Sequence, residues 1–81
     1  MKVLYTSPIF KKIDGTPRKV WIEEAGLRTH KIRDAAVLKV QEYGGISAPD
    51  IPEVRKLMAT IIRAKRKIEK NGWFATENKV Y

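Results

Sequence analysis

An α+β fold is predicted for this chain: an N-terminal β-hairpin, two helices of which the second is long and basic, and a short C-terminal strand. Three observations predict it. Asp14-Gly15 separates two runs rich in β-branched and aromatic residues, Gly44-Gly45 and Asn71-Gly72 stand where helices stop, and Val54 to Lys70 repeats its apolar residues at helical spacing. A winged-helix-like arrangement is one way of combining a basic ribbon with such helices, by fold analogy alone.

The hairpin comes first. Ile9-Phe10-Lys11-Lys12-Ile13 precedes Asp14-Gly15, and Arg18-Lys19-Val20-Trp21-Ile22 follows Thr16-Pro17. Asp-Gly supplies the positive φ angles of tight hairpin turns, while Pro17 lengthens the loop beyond two residues. Lys11, Lys12, Arg18 and Lys19 surround this turn with only Asp14 to oppose them. They make either a basic wing or an edge kept soluble by its lysines. In the next segment, Ile32, Ala35, Ala36, Val40 and Tyr43 share one face of a helix from about Thr29 to Tyr43. Val37 to Tyr43 also alternates as a strand would, and over Glu23 to Gly45 four bases balance four acids, so that stretch has no charge signature.

The second helix has a clear beginning. Asp50-Ile51-Pro52-Glu53 fits a capping box, in which Asp50 accepts from first-turn amides and Glu53 reaches back. Val54, Leu57, Met58, Ile61, Ile62 and Ile68 form its apolar face, with Lys65 projecting from the middle, its stem packed and its ammonium at the edge, or else with the face serving as an interface to a second copy. Asn71-Gly72 ends it near Lys70. Trp73 to Thr76 reads as a short strand, which Lys79-Val80-Tyr81 continues or pairs with. Gly45, Ile46, Ile51 and Val54 fall at helix-turn-helix offsets, but Gln41 stands where a small residue would let two helices approach, and Pro49 and Pro52 crowd the second helix.

Eighty-one residues make a single small basic domain, 1–81. A chain this short hides only about 60–65% of the surface its unfolded form exposes. Its 43% hydrophobic residues suffice for one core but not for a core and a catalytic cleft. There is no cysteine, which removes disulfides, thiolate chemistry and cysteine-ligated zinc. No signal-peptide pattern and no run long enough to span a bilayer are visible, so a cytoplasmic protein that does not enter membranes is expected.

Function is read mainly from charge. Val54 to Lys70 holds seven basic residues and one acid, carrying +6 of the chain's +8. Arg55, Lys56, Arg63, Arg66, Lys67 and Lys70 gather opposite the apolar face, within an arc of roughly 120°. Macrodipole complementarity accounts for bases in the last turn but not for Arg55 and Lys56 near the positive end. A solvated face ordinarily mixes signs to form i,i+4 pairs; this one is nearly acid-free. Lysines and arginines against phosphates release condensed counterions, so the expectation is a non-catalytic nucleic-acid-binding protein, accessory or regulatory, with DNA ahead of RNA. Its site is Arg55, Lys56, Arg63, Arg66, Lys67 and Lys70 on the helix, with Lys11, Lys12, Arg18 and Lys19 on the hairpin. The alternative is a small interaction or inhibitor protein docking this face on an acidic protein surface. Trp21 and Trp73 are read as core anchors rather than base-stacking platforms.

Catalytic signals are sparse. His30 is the sole histidine, too few imidazoles for a zinc site, and no phosphate-cradling glycine pattern occurs. No cofactor is expected. Glu23, Glu24 and Asp34 are the carboxylates that could in principle hold magnesium, and a metal-independent ribonuclease built on His30, a tyrosine and several bases is the one enzymatic alternative.

Overall fold

A computed structural model describes residues 1–45 and 50–76. It shows the expected α+β layout: strand β1 (Lys2–Lys11), strand β2 (Pro17–Glu23), a 3-10 turn (Glu24–Gly26), helix α1 (Leu27–Glu42) and helix α2 (Pro52–Asn71). β1 and β2 pair antiparallel, Lys2 opposite Glu23 through Ser7 opposite Arg18. The register then slips, and the next pair is Lys11 with Pro17.

The strand expected over Ile9–Ile13 is therefore displaced. Regular pairing lies upstream, in Lys2–Ser7, and Ile13 stands fully exposed in the turn. Side chains alternate across a strand, so Val3, Tyr5 and Ser7 share a face with Arg18, Val20 and Ile22. That face meets α1, and its Tyr5 and Ser7 are polar, which hides the alternation from a hydrophobicity reading. In the turn, Gly15 has φ 86°, the left-handed conformation that glycine adopts at little cost. Asp14 Oδ1 accepts from the Thr16 hydroxyl at 2.7 Å and from its backbone N–H at 3.0 Å. Those two bonds, the hydroxyl's first, hold the Asp14 carboxyl below the usual carboxylate range.

α1 and α2 pair antiparallel along their lengths. Val37 and Val40 lie opposite Met58 and Ile61 at one end, and Thr29 and Ile32 lie opposite Thr60 and Ala64 at the other. The apolar core is small: Val20 and Ile22 from β2, Ala36 and Val40 from α1, Val54, Ala64 and Ile68 from α2. The seam of α2 is rotated from the expected one. Ala64 joins it, because a small side chain lets the helices approach. Ile62 turns out to 47% exposure, and Lys65 lies exposed beside the seam rather than packed within it.

The helix ends follow local chemistry. The N-cap of α2 is Ile51, not Asp50, and no side chain caps it. Pro52 explains the correction. Its missing N–H and fixed φ suit the first helical position, and it forces Ile51 into extended backbone at φ −83°, ψ 118°. At the other end Gly72 has φ 69°; Gly72 N–H donates to Glu69 O and Trp73 N–H to Ile68 O, the Schellman pattern.

Trp73 then packs across Gly26. A Cβ at Gly26 would sit 2.5 Å from Trp73 Cβ, so only glycine allows this approach. The expected C-terminal strand is reduced, among the described residues, to one bridge. Thr76 and Trp21 exchange both backbone hydrogen bonds, at 2.7 and 2.8 Å. The pairing expected of Lys79-Val80-Tyr81 and the helix-turn-helix position at Ile46 lie outside the described residues. Among the described residues, no helix is long and apolar enough to cross a membrane.

Candidate nucleic-acid interface

On α2, Val54, Ala64 and Ile68 are buried, and Met58 and Ile61 face Val37 and Val40 of α1. The helical period gathers Arg55, Lys56, Arg63, Arg66, Lys67 and Lys70 on another arc of the helix, whose Arg63 and Lys67 border the groove shared with Thr29 and Ile32 of α1. All six basic residues are exposed. From Arg55 to Lys70 they extend over about 22 Å at 1.5 Å per residue. Among the described residues, no carboxylate is ion-paired to Lys56, Arg63, Arg66, Lys67 or Lys70. Lys67 Nζ sits 6.0 Å from the Trp73 ring centroid, at the outer limit of a cation–π contact. The structure thus gathers the helix residues expected to bind phosphate into one exposed cationic surface.

The hairpin bases do not form one face. Lys11, Lys12 and Lys19 are exposed, whereas Arg18 is half-buried. Arg18 shares the inward side of β2 with Val20, while Lys19 points outward with Trp21. The hairpin packs on α1 through β1, whereas the stripe is carried by α2, so the two basic groups stand on different elements. Trp21 and Trp73 are both half-buried: Trp73 packs on Gly26, and Trp21 pairs through its backbone with Thr76.

A buried polar network went unread in the sequence. Asp34 is 1% exposed, and its Oδ2 accepts from Tyr5 Oη at 2.7 Å and from Ser7 Oγ at 3.1 Å. Arg33 Nε donates to Asp34 Oδ1 at 3.1 Å. The Arg33 Nη2 group also donates to His30 Nδ1 at 3.2 Å. Guanidinium can only donate, so the His30 proton resides on Nε2, which donates to the Trp73 carbonyl. His30 is itself 1% exposed and has no ring nitrogen facing solvent. Asp34 does not join Glu23 and Glu24, because its oxygens are already occupied. Among the described residues, no group of three or more histidines and carboxylates could hold a metal ion, and no buried side-chain polar atom lacks a partner.

This network raises the Tyr5 phenol pKa well above the ordinary value, first through burial, then through the hydrogen bond to Asp34 and its negative charge. A raised acid pKa in the fold means that its stabilising contribution is complete below the unfolded-state value, about 10, and is lost as pH climbs beyond it. Subtracting the alkaline titration of Tyr5→Phe from that of wild type, followed by phenolate absorbance, isolates this group. Its ionisation is expected to coincide with alkaline unfolding. A separate Tyr5 step near pH 10, with circular dichroism intact, would contradict the buried geometry.

Compared with known proteins, the chain matches no family model, no curated protein and no solved structure.

Proposed function

We propose that the protein binds nucleic acid, DNA ahead of RNA, as a non-catalytic accessory or regulatory factor, through the outward face of α2. One observation carries this reading: six exposed basic side chains run along a single helix face opposite its buried seam. Packing requires the seam and not the stripe. Placing positive charges side by side costs free energy unless an anion answers them, and polyphosphate does so while releasing its counterions. The preference for DNA follows from shape. The B-form major groove, about 12 Å wide, admits a helix, whereas the A-form major groove is too narrow for side chains to read.

The test is Arg63→Ala/Arg66→Ala/Lys67→Ala, titrated against labelled duplex DNA, single strands and structured RNA. Alanine favours helix and the three positions are exposed, so the circular dichroism spectrum and melting curve should stay nearly unchanged while nucleic-acid binding is abolished. Unaltered affinity would eliminate this face as the site.

A second reading, docking on an acidic protein, is favoured by a different observation. A groove between the helices is lined by Val37, Val40, Met58, Ile61 and Ile62. It offers apolar contact that a phosphate backbone does not use and that protein interfaces need at their centre.

A further inference from the structure

The register slip in β1 has a consequence for the surface. Between Ser7 and Lys11 the strand leaves its regular pairing, and bulges of this kind re-aim side chains. Here the irregularity is held in place. Ser7, fully buried, accepts on its Oγ from the backbone N–H groups of Ile9 and Phe10, both at 3.3 Å, while its own hydroxyl donates to the buried Asp34. The residue so positioned is Phe10, which remains 40% exposed. Beneath it lies a cleft of about 490 Å³ lined by Ile9, Phe10, Lys11, Arg18, Val20 and Ala75, within the usual range for sites that take a small ligand.

The Arg33 guanidinium carbon stands 5.6 Å from the Phe10 ring centroid, and Arg33 is itself tied to Asp34 and His30. Phe10 lines the cleft and Arg33 does not, so the cation holds the ring without occupying the open space. An electron-rich aromatic ring, held by Arg33 in a cleft that Lys11 and Arg18 also line, matches one ligand chemistry: a flat heteroaromatic ring that carries phosphate.

We propose that this cleft is a second nucleic-acid site, which takes an unpaired base of a single strand. The base stacks on Phe10, and the exposed Lys11 of the cleft lining meets an adjoining phosphate. A base within a duplex cannot present its face to Phe10, so the site is selective for single strands, whereas the α2 stripe responds to phosphate in any strand form. The proposal extends the nucleic-acid reading but rests on different residues.

The test measures binding of wild type, Phe10→Leu, Phe10→Trp and the α2 triple-alanine variant to three labelled probes: a single-stranded DNA, the same backbone without bases, and a duplex. Phe10→Leu keeps apolar bulk but loses the stacking face. It should weaken single-strand binding by about five- to 150-fold, the range for one stacked base, and leave duplex binding unchanged. Phe10→Trp should restore single-strand affinity, which separates stacking from a folding defect. The base-free probe should bind wild type no better than it binds Phe10→Leu. The proposal is overturned if Phe10→Leu binds single strands like wild type, if the base-free strand binds as tightly as the intact one, or if wild type binds duplex alone. In that last case the α2 reading survives. Conversely, if the α2 variant binds both intact nucleic acids as wild type does while Phe10→Leu does not, the cleft stands and the stripe does not. A wild type that binds none of the probes overturns both.

Discussion

Asp34→Ala is expected to cost about 3–5 kcal/mol of stability, the loss typical of removing one partner from a buried ion pair. For a domain of this length, total stability is on the order of 4–12 kcal/mol, so the variant should be marginal or unfolded at room temperature. The size follows from what the carboxylate holds. It accepts from Tyr5 and Ser7 on β1 and from Arg33 on α1, and without it the fully buried Ser7 hydroxyl and the half-buried phenol lose their acceptor. A buried donor left without an acceptor costs more than the bond itself contributed. Arg33, with 17% of its side chain exposed, would also lose the charge that offsets its desolvation. Urea unfolding followed by circular dichroism measures the effect. A loss under about 1 kcal/mol, within the range of ordinary surface substitutions, would show that the sheet is held on α1 by its apolar residues alone.

The same network explains why one part of the fold was legible and another was not. α2 announces itself: apolar residues at helical spacing, Pro52 at its start and Gly72 at its end are all visible in the residue string. Its rotation is less visible, since a helical wheel favours Ile62 over Ala64 by hydrophobicity, while the close approach to α1 favours Ala64 by size. α1 is opaque for a different reason. It buries Ala36 and Val40 against α2, but it also buries Thr29, His30 and Asp34, so polar residues interrupt the apolar stripe that a pattern search follows. β1 carries the complementary ambiguity, since Tyr5 and Ser7 occupy inward positions because Asp34 awaits them. Neither element could be read until its partner was known. The basic stripe, by contrast, was fully legible, because exposed charges on one helix need only the helical period to bring them together. The Phe10 cleft was not, since it depends on a register slip and on a three-dimensional approach of Ala75 to the hairpin.

Salt dependence should show the largest change in binding. If α2 places about five to seven phosphate contacts on B-DNA, a plot of log affinity against log salt should have a slope near −5 to −6, so that affinity falls roughly a thousand-fold between about 50 and 200 mM. Each phosphate contact contributes about one unit of that slope, so Arg63→Ala alone should flatten it by about one. Docking on an acidic protein would respond less steeply, because the buried contacts of a protein interface carry the affinity and its rim charges mainly set the association rate. The two readings therefore differ in a slope and not merely in a partner's identity. Failure of every nucleic acid to bind more tightly than about 100 μM, the weak end of ordinary non-specific binding at physiological salt, would remove the nucleic-acid reading. The acidic-protein reading would then lead, because it alone uses both the stripe and the apolar groove that Val37, Met58 and Ile61 line beside it.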